Sequence, residues 1–125
     1  MKIVNPKGKK EITVNSDETV EIYLEDLDME SREFTLQINL MGDNSKCLIE
    51  GRIHCQNSDK KIWNITQIFR GKNQIGKTNL QGVAESNSIL EMNATGLISS
   101  ESKQSTVNIS EKILLFEKAK GKLFA

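Results

Sequence analysis

The residues whose types and spacing most resemble a chemical device form the string Gly71-Lys72-Asn73-Gln74-Ile75-Gly76-Lys77-Thr78. It matches the phosphate-binding loop G-x-x-x-x-G-K-[ST] letter for letter. In such a loop backbone amides cradle the phosphates, the lysine neutralises them and the threonine hydroxyl holds Mg²⁺. That chemistry needs a helix starting at the lysine, because its N-terminal dipole stabilises the phosphate charge. Here Asn79-Leu80-Gln81-Gly82-Val83-Ala84-Glu85-Ser86-Asn87-Ser88 follows, and its glycine and Ser-Asn-Ser turn interrupt a helix before the third turn. Nor do strands and helices alternate anywhere to build the parallel sheet on which these loops sit. Residues 71–78 therefore read as a glycine-containing β-turn, with nucleotide binding through Gly71, Gly76, Lys77 and Thr78 as a remote alternative.

Cys47, His54 and Cys55 are the only soft metal ligands close together in sequence. A tetrahedral zinc or cluster site wants converging thiolates, usually at C-x₂₋₄-C spacing. On one continuous strand, seven intervening residues place the two sulfurs roughly 25 Å apart at about 3.3 Å per residue. The expectation is two buried free cysteines serving as small core residues, and an exposed strand histidine. One histidine also excludes multi-His metal centres and allows no specific Ser-His-Asp or Cys-His arrangement. Asp26 and Asp28, with Glu25 and Glu30, read as a solvated acidic turn with at most weak affinity for a divalent cation. Asn64-Ile65-Thr66, Asn93-Ala94-Thr95 and Asn108-Ile109-Ser110 spell glycosylation acceptors, but read as polar strand sequence.

Composition narrows the classes further. The 125 residues are the size of one domain, with 17 acids balancing 17 bases. No global basic field draws in nucleic acid or an anionic membrane, and aromatics at 5% offer no stacking platform for single strands. No apolar run approaches the roughly 20 residues that span a bilayer. The N-terminus turns polar after two apolar residues, unlike a signal peptide, so a cytoplasmic, reducing setting is the expectation.

The elements that must position these residues are strands. Short period-two runs rich in Ile, Val, Leu and Thr alternate with Asn, Ser, Asp and Gly punctuation. Ile12 and Val14 share one face, as do Val20, Ile22 and Leu24, and Phe34, Leu36, Ile38 and Leu40. Cys47, Ile49, Gly51, Ile53 and Cys55 form a further face, and Leu90, Met92, Ala94, Gly96 and Ile98 another. The pattern predicts about eight strands, almost no helix and one all-β domain over residues 1–125. Leu40-Met41-Gly42, Ser45, Gly51-Arg52-Ile53 and Ile65-Thr66 are echoed by Leu80-Gln81-Gly82, Ser88, Gly96-Leu97-Ile98 and Ile109-Ser110, at offsets of 40 to 45 residues. Periods in this range point to a β-solenoid, in which each unit buries its face by stacking on the next. A β-sandwich is the runner-up. Charge is uneven: eight acids and one base between Asp17 and Glu33, against Lys112, Lys118, Lys120 and Lys122 near the other end. These read as solvated faces and edge protection, with a charge-complementary contact between the two ends as the sharper alternative.

The run Ile62-Trp63-Asn64-Ile65-Thr66-Gln67, then Asn79 to Ser88, Gly96-Leu97-Ile98 and Val107 through Ala119, resembles the β-helix core of the SufB/SufD family of iron–sulfur cluster assembly proteins. There a strand ending near a histidine precedes a turn of the Gly-Val-x-x-x-Ser kind, a Gly-x-Ile strand and a Leu-rich segment closing on alanine. The upstream Leu40-x-Gly42 through Gly51-Arg52-Ile53 looks like preceding turns, so the resemblance covers about residues 12–119. It implies a short right-handed parallel β-helix acting as a non-enzymatic scaffold or partner-binding component beside the SufC ATPase. It also implies a homodimer or a complex with SufB/SufC-type partners, with no nucleic acid or membrane among them. No cofactor of the chain's own is implied, and an iron–sulfur cluster only within such an assembly.

The departures are specific. The family histidine near the end of the Trp63 strand is replaced by Phe69 and Arg70. The family's cysteine and His-Gly-Ala segment and its ATPase-contacting helical region have no counterpart up to Ala125. No cluster ligand is therefore carried over to Cys47, His54 or Cys55. The alternative reading is an all-β protein-binding module that keeps the fold without the pathway.

Overall fold

The computed structural model describes residues 1–100, 102, 104–116 and 118–124. Among them there are ten strands and no helix: β1 (Lys2–Val4), β2 (Gly8–Val14), β3 (Thr19–Asp26), β4 (Arg32–Leu40), β5 (Lys46–Cys55), β6 (Lys60–Phe69), β7 (Ile75–Ala84), β8 (Ile89–Ile98), β9 (Thr106–Leu115) and β10 (Lys120–Phe124). No helix is thus long and apolar enough to cross a membrane. Odd strands form one sheet in the order β1-β3-β5-β7-β9, and even strands the other in the order β10-β8-β6-β4-β2. Every ladder is parallel. The chain therefore winds as a parallel β-solenoid of about four turns, with alternate strands on opposite sheets. Parallel neighbours two elements apart in sequence also exclude the antiparallel pairing of the β-sandwich alternative.

The repeat is shorter than the sequence echo suggests. Ladder partners Gly8 and Phe34, Arg32 and Lys61, Lys60 and Ile89, and Ile89 and Lys120 stand 26, 29, 29 and 31 residues apart. One coil is two strands and two tight turns. The offsets of 40 to 45 equated glycines with different jobs: Gly42 lies in a turn against Ser16, whereas Gly82 faces Leu90 inside the coil.

Strict alternation builds the interior. Inward positions stack into columns along the solenoid axis, such as Phe34–Trp63–Met92 on one sheet and Ile22–Ile49–Thr78 on the other. The two sheets interlock through size complementarity. A Cβ on Gly51 would come within 2.6 Å of the Trp63 ring, and one on Gly76 within 2.4 Å of the Phe69 ring. Glycine there admits a large ring from the facing sheet. At the outer end of β8 the alternation weakens, and Ile98, expected inward, is half exposed.

Asn, Asp and Ser turn the corners because their short polar side chains tolerate the left-handed region. Asp17, Asn44, Asn57, Ser58, Asn73, Ser86 and Asn87 all have φ between 56° and 64°. Successive turns also stack: Asp17 N donates to Asp43 O at 3.0 Å, Asn44 N to Lys72 O at 2.9 Å and Ser58 N to Ser86 O at 3.0 Å.

Candidate functional site

The string 71–78 does not form one loop. Gly71 lies in the turn between β6 and β7, and Gly76 to Thr78 belong to β7. On that strand Lys77 is exposed whereas Thr78 is buried, its hydroxyl donating to Gln67 Oε1 at 3.3 Å. Strand alternation thus sends the two side chains a phosphate site would need to opposite faces. Gln74 closes the corner instead. Its amide nitrogen donates to Leu40 O and Gly42 O, both at 2.8 Å, and its carbonyl oxygen accepts from Gly71 N at 3.0 Å.

Cys47 and Cys55 both lie inward on β5, eight residues apart, as free buried thiols. Burial pushes the Cys47 thiol up to about 11 and also raises Cys55. Cys55 Sγ donates to Asp59 O at 3.1 Å. His54, half-buried on the outward side of β5, pairs its Nε2 with Glu85 Oε1 at 2.8 Å. Among the described residues no three His, Cys, Asp or Glu side chains gather as a metal site.

The acidic turn is where structure and sequence part most sharply. The carboxylates expected in solvent converge on two cations. Asp26 and Lys61 are both 0% exposed. Lys61 Nζ donates to Asp26 Oδ1 at 2.9 Å, Asp28 O at 2.6 Å and His54 O at 2.7 Å. Arg32 donates to Asp26 Oδ1 and Glu30 Oε2, each at 2.9 Å, and grips both oxygens of Asp28. The Arg32 hydrogen bond holds the Asp28 carboxyl below its ordinary range, and Asp28 in turn raises Arg32. Three acceptors saturate the ammonium of Lys61, so this cluster binds the β3–β4 turn to the β5–β6 corner, with Asp26 Oδ2 its one buried oxygen left without a hydrogen-bond partner. The clue in the sequence is the alternation Lys61, Trp63, Ile65, which puts a lysine at an inward position.

The last coil differs. Its strands have outer edges that pair with no strand among the described residues. By ladder register with the inward face of β7, the inward positions of β9 are Val107, Ile109, Glu111, Ile113 and Leu115. On β10 they are Gly121 and Leu123, aligned with Leu90 and Met92. Leu114, Leu115, Phe116, Leu123 and Phe124 are 42–55% exposed. Amid this apolar surface Glu111 points inward, and its buried Oε1 has no hydrogen-bond partner. Burial pushes its carboxyl up to about 7. Around it Ile109, Ile113, Leu80 and Leu123 offer no charge, while Lys112, Lys120 and Lys122 occupy outward positions. The sequence carried this signal too, as an acid interrupting an apolar alternation. Glu117, part of the Leu-rich segment, lies outside the described residues.

An apolar, edge-on β surface around an unsatisfied carboxyl can accept strands from a partner, with main-chain hydrogen bonds supplying affinity and the side chains selecting the partner. Comparison with protein-family models, with curated proteins and with solved structures gives no match, so the functional reading rests on this geometry and on the sequence resemblance.

Proposed function

We propose that this chain is a non-enzymatic, partner-binding β-solenoid that works as a minimal SufB/SufD-like scaffold component of iron–sulfur cluster assembly in the cytoplasm. The observation that carries the scaffold reading is the last coil, where two strand edges are unpaired among the described residues and Leu114, Leu115, Phe116, Leu123 and Phe124 stand 42–55% exposed on the same coil as the inward Glu111. The iron–sulfur reading is supported by the sequence resemblance over residues 12–119 together with a parallel solenoid spanning that region. In this reading the chain supplies shape and docking edges, and cluster ligands and ATP hydrolysis come from its partners. Cys47 and Cys55, separated and packed in the core, support a scaffold role over a cluster-holding one.

The test is anaerobic co-expression with the Suf-type ATPase and scaffold of the same organism, read by native mass spectrometry. A stable complex is the expected result, and its loss in Leu115→Asp would map it to the last coil. A folded chain that ignores both proteins would overturn the iron–sulfur reading. The separation of the two thiols also favours the second reading, an all-β binding module outside that pathway. Capture of a different single partner through the same coil would decide for it.

A further inference from the structure

A strand face turned to water is ordinarily polar, and one row of the odd-strand sheet departs from that. Ladder register sets outward residues side by side across the strands, Arg52, Gln81 and Lys112 in one row and His54, Val83 and Leu114 in the next. Leu27 follows Asp26, the ladder partner of Ile53, and so comes to the β3 end of the second row. It is 48% exposed and Leu114 46%, which leaves an apolar strip on a solvent face beside a cationic row.

Side-chain length shapes this surface. Gln81 and Val83 on β7 are shorter than Arg52 and His54 on β5 and than Lys112 and Leu114 on β9. The result is a groove of about 520 Å³ along β7, and no carboxylate side chain lines it among the described residues. Its walls stand two strand spacings apart, about 9.6 Å between backbones. Arg52 and Lys112 therefore reach towards each other over Gln81, whose amide adds a third donor. About 6.6 Å along the strand the groove becomes apolar at Val83.

Neither cation has an ion pair among the described residues. The acids of this face are engaged or turned away: Glu25 pairs with Lys2 at 3.6 Å, and Glu85 with His54 at 2.8 Å. Glu50 lies one outward position beyond Arg52, on the side away from Val83. Exposed cations alone hold an anion weakly, because water screens the charge. An adjoining apolar strip adds burial for a ligand that carries both characters, and a groove of this volume is of small-molecule size.

We propose that this groove binds a small amphipathic carboxylate. Its anionic head lies between Arg52 and Lys112 and accepts from the Gln81 amide, and its apolar body covers Val83 between Leu27 and Leu114. The site is on the lateral face of the solenoid, so it adds a ligand to the molecule rather than a second account of the open last coil.

The experiment is amide-resolved NMR of the labelled chain titrated with phenylpropionate. Phenylpropanol, with the same body and no charge, and acetate, with the charge and no body, are the controls. Phenylpropionate should shift the amides of Gln81, Val83, Lys112 and Leu114 and bind about tenfold or more tightly than either control. Arg52→Gln/Lys112→Gln should lower its affinity to that of phenylpropanol, and Val83→Glu, which sets an acid in the floor, should abolish its binding. The dispersion of each spectrum reports whether the variant is folded, and Arg52→Gln alone, with about half the decades of loss, carries the test if the double variant is not. Equal affinity for phenylpropionate and phenylpropanol, shifts centred on Leu123 and Phe124, or no saturable shift up to about 10 mM would each overturn the site.

Discussion

Two places in this solenoid bury charge, and each leaves one carboxylate oxygen unpartnered, but Asp26 meets two cations through its other oxygen whereas no ion pair reaches Glu111 among the described residues. At the corner joining β3–β4 to β5–β6, Lys61, Asp26 and Arg32 are withdrawn from water but bound to one another and to backbone carbonyls. In the last coil Glu111 is withdrawn without a partner for Oε1. The first arrangement ties neighbouring coils together, since a shift of one residue would turn Lys61 to solvent and strand Asp26. The second leaves a group whose desolvation is unrepaid within the chain and which a docking partner can satisfy. Burial of a charge therefore marks a structural lock in one region and an unfinished interface in the other, and partner geometry tells them apart.

The strongest way to break this comparison is Lys61→Met. It leaves Asp26 buried and uncompensated, with an expected loss of about 3–5 kcal/mol in urea unfolding. Asp26→Asn in the same chain should recover part of that loss, and a change below about 1 kcal/mol in Lys61→Met would deny the corner its locking role.

A second contrast uses apolar residues. Leu36→Ala, in the closed middle of the solenoid, should lower stability by about 2–5 kcal/mol through the cavity it leaves. Leu123→Ala in the last coil, where the side chain is 42% exposed, should lower it by about 1 kcal/mol or less. Equal effects at the two sites would show that the last coil is as closed as the middle.

The pH dependence sharpens the difference. Because burial raises Glu111 to about 7, its native form holds the proton more tightly than the unfolded chain does. Its contribution is therefore fully present below the ordinary glutamate range and lost as pH rises towards and through 7. Thermal unfolding of the wild type between pH 4.5 and 8 should show stability falling over that window relative to Glu111→Gln. Parallel curves for the two proteins would remove Glu111 as the cause.

The smallest effect belongs to His54→Ala. The His54–Glu85 pair is about one-third exposed on both sides, so its removal should change stability by about 0.5 kcal/mol or less in chemical unfolding. A loss comparable to that of Lys61→Met would join His54 to the corner through more than its backbone carbonyl.

Much of this was legible in the sequence. The alternations Phe34-Leu36-Ile38-Leu40 and Cys47-Ile49-Gly51-Ile53-Cys55 name inward faces correctly, because a strand's side chains have a period of two whatever they pack against. They also place both thiols in the core. The coil length did not read out, because the echo aligned Gly42 with Gly82 although one serves a turn and the other a facing leucine. The acidic turn misled for a related reason. Its carboxylates are local in sequence, but Lys61 comes from a strand 35 residues on, and local composition carries no trace of that pairing.

What the sequence by itself determined is what depends on near neighbours: all-β character, the faces of its strands, the turns built from Asn, Asp and Ser, and one domain's worth of core. What only the tertiary structure decided is what depends on which strand lies beside which. The parallel register set the coil, sent Lys77 and Thr78 to opposite faces, closed Lys61 on Asp26 and left Glu111 alone at an open end. Ladder pairing joins residues some 30 positions apart, and that distance is where the meaning of a buried charge is fixed.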